Sequence, residues 1–212
     1  MTKKDNPWAE QERELYHIVD LVADQMFPAV KGMRVLELGS FSGWFTAKLL
    51  DYTGNVTCLE MNKAETDQLA IKFPQATVIN DDFHTALRSL GEFDAVVVYG
   101  VLYHSCAPLL ILEDIVNYSK PKLILMESFI SHGQPSKVSF KEETTNEPGM
   151  RQSKSKTCGF VFSLSDEIYT KSLENMGYRV DKTWELLPNL GFKPRWFKNR
   201  VLNYKNFVKN DL

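Results

Sequence analysis

Two carboxylates and two glycines stand at spacings that suggest a binding chemistry. Glu37 lies two residues before Gly39, and Gly43 follows four residues later in the run Val35-Leu36-Glu37-Leu38-Gly39-Ser40-Phe41-Ser42-Gly43-Trp44. Glycine adopts backbone angles closed to other residues and lets the chain come close to a ligand that a side chain would hold off. Seventeen residues past Gly43, the run Val56-Thr57-Cys58-Leu59 ends in Glu60. A carboxylate at the end of a second strand can accept hydrogen bonds from both hydroxyls of a ribose. Glu37, just before the turn, can meet an amino group. The chemistry implied is the binding of a nucleoside that carries an amine.

The pattern departs from the dinucleotide fingerprint Gly-x-Gly-x-x-Gly, because Phe41 occupies the place of a middle glycine and leaves less room for a pyrophosphate. An amino acid joined to a nucleoside describes S-adenosylmethionine. The run resembles motif I of the class I methyltransferases, which often carries the middle glycine missing here. The resemblance implies that cofactor, with S-adenosylhomocysteine as product, and contacts from Glu37, Gly39, Ser40, Phe41, Gly43, Trp44, Glu60 and Met61. A tight strand-to-helix turn without a ligand is the plainer reading of the same glycines.

Further along, Asp82-Phe83 offers a carboxylate for an exocyclic amine and a ring to lie against adenine. The pair also reads as a strand-ending turn with Phe83 in the core. The segment Tyr99-Gly100-Val101-Leu102-Tyr103-His104 places Tyr99 and Gly100 beside the cofactor and Tyr103 and His104 toward an acceptor. Gly100 to His104 resembles methyltransferases near the tRNA wobble-uridine carboxymethyltransferase, as does Cys158-Gly159-Phe160-Val161-Phe162-Ser163-Leu164-Ser165. The likeness spans residues 30–130 and, loosely, 158–185. The added basic residues that hold a carboxylated cofactor have no match here, so the plain cofactor is expected.

His104 titrates near neutrality and is the candidate base for an acceptor proton; it equally reads as a cap or loop brace. Tyr103 would orient the acceptor or simply pack. Glu127, His132 and Arg151 are candidates for the acceptor side, with Glu142, Glu143 and Glu147 in the same polar stretch. Each of these also fits a solvated loop. The histidines are scattered and no spacing matches a metal cage, so no metal is expected.

The elements that must carry these residues alternate. A helix begins at Asn6-Pro7 and closes at Pro28, followed by strands at 35–38, 56–60, 76–79, 94–99 and 122–127. Helices read from Trp44 to Tyr52, Lys63 to Phe73, Pro108 to Tyr118, and Ser165 to Gly177. Two closing runs, Tyr178 to Leu186 and Trp196 to Tyr204, read as a hairpin. The expected fold is α/β: a Rossmann-like, doubly wound, seven-stranded sheet, parallel with an antiparallel C-terminal hairpin, of class I methyltransferase type. All 212 residues read as one domain, with a polar connection at 131–158 on the substrate side and the hairpin at 178–206.

Bulk properties narrow the partners. With 43% hydrophobic and 25% charged residues the chain can bury a sizeable core. No apolar run is long enough for a membrane span, and the first residues do not read as a signal peptide. Three cysteines without metal-ligand spacing favour a reducing, cytoplasmic setting with free thiols. Net charge is −2, yet residues 179–212 hold eight Lys or Arg against three Asp or Glu, a local +5. That edge could meet a nucleic acid or a phosphate, or defend a sheet edge against aggregation. A small-molecule acceptor is the leading expectation, and a tRNA wobble base or a non-catalytic binding module are the alternatives. Oligomeric state is left open by the sequence.

Overall fold

The computed structural model describes residues 20–21, 23–131, 138–142, 160–186 and 200–210. Among them the apolar runs form strands β1 (Val35–Leu38), β2 (Val56–Glu60), β3 (Thr77–Asn80), β4 (Ala95–Val98) and β5 (Leu123–Ser131). Every residue of β1, β2 and β4 is buried, as β-branched and apolar strands covered on both faces should be. Two further strands, β8 (Tyr178–Leu186) and β9 (Arg200–Lys209), complete a seven-stranded sheet in the order β3-β2-β1-β4-β5-β9-β8.

Strands β1 to β5 pair in parallel, whereas β9 runs antiparallel to both β5 and β8. The closing hairpin therefore exists, but its second strand inserts next to β5 and its first lies at the edge. It follows that β8 points the same way as β1 to β5. The second hairpin strand is also displaced: it starts at Arg200 and ends at Lys209, beyond the expected Trp196 to Tyr204.

The two-residue period of the strands sorts the core into two layers. Leu36, Leu38, Val96, Val98, Ile124, Met126 and Phe207 face one side with Ile111, Leu112, Tyr169 and Leu173. Val35, Ala95, Val97, Tyr99, Leu123 and Leu125 face the other with Met26, Phe27 and Leu49. Each fully buried Leu or Val contributes about 1.5–3 kcal/mol.

Helices α1 (Trp44–Leu49), α2 (Lys63–Lys72), α3 (Phe83–Ala86), α4 (Pro108–Asp114) and α5 (Asp166–Asn175) join the strands. Asn62 and Asp82 cap α2 and α3 by accepting the N–H groups of Ala64 and His84. Proline at its first turn starts α4. The helix expected to run from Pro108 to Tyr118 changes at Ile115 into a π-helical turn through Ser119.

The stretch at 131–158 contains regular structure that its polar composition did not announce. β5 continues to Ser131, and β6 (Val138–Glu142) pairs antiparallel with β7 (Phe160–Leu164). Glu142 is thus a strand residue. Most of the helix expected from Asn6 lies outside the described residues. Its described end passes into a 3-10 turn, Phe27–Val30, two residues beyond Pro28.

Strand order reverses between β1 and β4. In an open parallel sheet, the crevice beyond the strand ends at such a reversal is where ligands bind.

Candidate cofactor and acceptor site

The loop after β1 alternates three left-handed residues: Gly39 at φ 70°, Phe41 at φ 44° and Gly43 at φ 80°. Phe41 pays about 1–2 kcal/mol for a conformation that glycine adopts freely. Its backbone N–H donates to Glu60 Oε2 at 3.0 Å, which helps hold it there. The glycines have a packing reason as well. A Cβ on Gly39 would lie 2.5 Å from Val101 Cγ2, and one on Gly43 would lie 2.3 Å from Phe73 Cε2. Gly43 therefore makes room for the end of α2, where the sequence suggested only a sharp turn and a close approach to ligand.

Glu60 is buried at the end of β2 and receives a second bond, from the Asn62 N–H to Oε1 at 2.8 Å. A carboxylate oxygen has two lone pairs, so each oxygen retains capacity after these bonds. Close by, Ser40 is 95% buried, and its hydroxyl bonds to the Glu37 carboxyl.

Glu37 is buried and faces α1, where the Thr46 hydroxyl donates to its Oε2 at 2.6 Å. The Cys58 thiol lies 3.6 Å from the same oxygen. Burial pushes the Glu37 carboxyl up to about 7, against the opposing bond from Thr46, and the charge of Glu60 adds to the rise. Thr46 was not anticipated. Its signal is positional: it lies in the first turn of the helix that packs back onto the strand carrying Glu37.

At the end of β4, Gly100 takes φ 69° and its N–H donates to Glu127 Oε2 at 3.0 Å. Burial raises Glu127 to about 7, with the Gly100 bond opposing. Gly100 and Glu127 are thus brought together from strands β4 and β5. Tyr103 and His104 close the 3-10 turn Leu102–His104, half-buried, with ring centroids 4.4 Å apart. Just before α4, whose N-terminus has no side-chain cap, Ser105 Oγ accepts the Ala107 N–H at 2.9 Å.

Tyr99 packs into the core. Its ring stacks on Phe27 at 6.2 Å and meets Phe45 edge-on at 4.9 Å, and its hydroxyl donates to Met26 Sδ. Burial holds the phenol well above its ordinary range. Strand alternation turns this side chain into the core layer of Ala95 and Val97 rather than toward a ligand.

Phe83 does approach the glycine loop, with its Cζ 3.8 Å from the Cβ position of Gly39. Asp82 spends Oδ1 on its helix cap. Met61 is half-buried beside Glu60. Trp44 meets Phe41 edge-on at 6.4 Å. His132 and Arg151 lie outside the described residues. Among the described residues no group of three His, Cys, Asp or Glu is placed to hold a metal, and no helix is long and apolar enough to cross a membrane.

Comparisons with known proteins bear on the fold that carries these residues. Residues 36–126, which span the glycine loop through β5, match the methyltransferase domain family. No curated protein matches the sequence significantly. The N-terminal domain of EvdMO1, crystallised in the presence of S-adenosylhomocysteine and D-fucose, is 22% identical with TM-score 0.64, over 99% of this chain and 85% of that one. Magnesium protoporphyrin IX methyltransferase from Synechocystis PCC 6803, with bound S-adenosylmethionine, is 12% identical with TM-score 0.67, over 99% and 87%. The 1,6-didemethyltoxoflavin-N1-methyltransferase of Burkholderia thailandensis, with its substrate and S-adenosylhomocysteine, is 17% identical with TM-score 0.63, over 95% and 84%. At these identities the structures establish the shared fold. Residues 36–126 match the methyltransferase domain family, and the chain shares the fold of these S-adenosylmethionine-dependent methyltransferases.

Proposed function

We propose that the protein methylates a small-molecule acceptor, a sugar or another hydroxylated metabolite. The observation that carries the cofactor half of this reading is Glu60. Its two carboxylate oxygens are fixed by the backbone N–H groups of Phe41 and Asn62 and still have lone pairs for a ribose diol. The buried Ser40 hydroxyl and the close-approaching Gly39 backbone fit the amino-acid portion, and Glu37 supplies the negative charge for its ammonium. Asp82, Phe83 and Met61 frame the adenine. The acceptor half draws on two similar structures of proteins named for small-molecule substrates, and on a third obtained with D-fucose present. All 212 residues act as one domain in this reading, with the 131–158 stretch on the acceptor side.

The bound sulfonium supplies an electrophilic methyl group whose leaving sulfur needs no protonation. The protein's part is to orient the acceptor in line and to exclude water. Where the acceptor is a hydroxyl, His104 takes its proton, an assistance worth about 10²–10⁴-fold. Tyr103, packed against His104, and Glu127 border the acceptor space.

The tRNA-related reading draws on the Gly100 to His104 run and the basic C-terminal segment. Lys205, one of the eight basic residues there, is buried against Asp166 and Thr170 and so is withdrawn from any nucleic-acid surface.

The test is transfer of a radiolabelled methyl group from S-adenosylmethionine to a panel of sugars and hydroxylated metabolites, with bulk tRNA in parallel. Label in a small molecule, lost in Glu60→Ala, is the expected result. Label in tRNA alone would overturn the acceptor class, and failure to bind S-adenosylhomocysteine would overturn the cofactor assignment itself.

A further inference from the structure

Behind Glu60 stands a small polar relay that neither motif contains. Asn80, the last residue of β3, donates through Nδ2 to the Glu60 backbone carbonyl at 2.9 Å and to Thr66 Oγ1 at 3.1 Å. Thr66, one turn into α2, passes its own hydroxyl proton to the Asn62 carbonyl at 2.8 Å. Asn62 in turn donates its N–H to Glu60 Oε1 at 2.8 Å and caps α2 through Oδ1. Three separate elements thus converge on one carboxylate: the end of β3, the first turns of α2, and the β2–α2 turn.

We propose that Asn80, acting with Thr66, is a positioning residue for cofactor binding. It touches no ligand in this arrangement. It locks the β2–α2 turn so that the Glu60 carboxylate faces the glycine loop at the Phe41 N–H.

The physical case rests on what the turn would do without it. Glu60 is the final residue of β2, and beyond it the backbone leaves the ladder. Its carbonyl is met by side chains, Asn80 Nδ2 at 2.9 Å and the Thr66 hydroxyl at 3.3 Å. β3 is an edge strand of four residues, exposed or half-exposed throughout. Packing alone ties such a strand weakly, so the side-chain bonds from its last residue join it firmly to the turn. A carboxylate that must meet two ribose hydroxyls at once loses affinity when its orientation spreads, because each immobilised side chain has an ordering cost on binding.

This inference rests on the reading of Glu60 as the ribose ligand. The experiment is calorimetric titration of the full chain with S-adenosylhomocysteine, comparing wild type, Asn80→Ala, Glu60→Ala and the double variant, with thermal melts alongside. Asn80→Ala is expected to bind about three- to tenfold more weakly, the scale of a lost hydrogen bond. In the Glu60→Ala background the same change should add less than about twofold, since no carboxylate is left to orient. Thr66→Val should weaken binding in the same direction, and Thr66→Ser, which keeps the hydroxyl, should restore it. Should Asn80→Ala fail to fold, the Thr66 pair decides alone. Wild-type affinity in Asn80→Ala, or an equal loss with and without Glu60, would overturn the positioning role and leave the Glu60 assignment intact. No binding by wild type would overturn that assignment and the proposal together.

Discussion

Replacing Glu37 with Gln tests whether the site stores an unfavourable charge in order to receive a favourable one. The Glu37 carboxyl is 3% exposed, and burial raises it from 4.5 to about 7. The folded protein thus holds this proton more tightly than the unfolded chain does. The group's contribution to stability is fully present below pH 4.5 and is lost as pH rises through 7. By pH 8, charging it costs about 3 kcal/mol. Glutamine keeps an acceptor for Thr46 Oγ1 and never ionises. Glu37→Gln should therefore match wild type within about 1 kcal/mol at pH 4.5 and exceed it by about 3 kcal/mol at pH 8. For a chain of this size that is a melting-temperature gain on the order of 6–12 °C. Thermal melts of both proteins without ligand, from pH 4.5 to 8, read the difference directly. The parallel titration of Glu127, raised by burial in the same window, is common to both proteins and cancels. Titration at pH 8 should show that the more stable variant binds S-adenosylhomocysteine at least tenfold more weakly, having lost the charge opposite the ammonium. A stability difference that stays flat across this range would refute the argument, because Glu37 would then be an ordinary ionised carboxylate in the folded state.

Other substitutions separate packing from chemistry. Gly43→Ala forces a Cβ to within 2.3 Å of Phe73 at φ 80° and should destabilise the fold by about 2–4 kcal/mol in urea denaturation. Tyr99→Phe removes the hydroxyl that donates to Met26; it should cost about 1 kcal/mol and leave S-adenosylhomocysteine affinity within twofold by calorimetry. A large loss of affinity there would return Tyr99 to the cofactor site. His104→Gln should lower kcat about 10²–10⁴-fold on a hydroxyl acceptor while cofactor affinity is unchanged, and a matching loss in binding would make His104 a structural brace.

The chemistry of the cofactor half was written in local spacing. Glu37, Gly39, Gly43 and Glu60 lie within 24 consecutive residues that form strand, turn, helix and strand. Over so short a span the glycine turn and the apolar runs dictate the geometry almost without help from the rest of the chain. Phe41 was legible as an exception to a fingerprint, although its cost, a left-handed φ on a bulky residue, was not. The apolar runs of β1, β2 and β4 announced their burial by composition alone.

What local patterns could not reach is anything decided by facing or by distant partners. Tyr99 and Glu127 both end apolar runs of the sequence, and nothing in either run says which sheet face their side chains take. The tertiary structure turned Tyr99 onto Phe27 and tied Glu127 to Gly100, 27 residues away. The strand at Val138–Glu142 is polar, and it exists because β7 supplies a ladder for its backbone. β9 inserted between β5 and β8, so a hairpin that sequence could foresee took an order that only packing could choose. Asn80 and Thr66 carry no motif, and their meaning arises where β3, α2 and the end of β2 meet. Sequence by itself determined the turn, the runs and the two carboxylates, because steric rules and periodicity act between near neighbours. The tertiary structure alone decided which charges are buried, what holds them and which side of the sheet they face, because those depend on burial and hydrogen bonds between residues far apart in the chain.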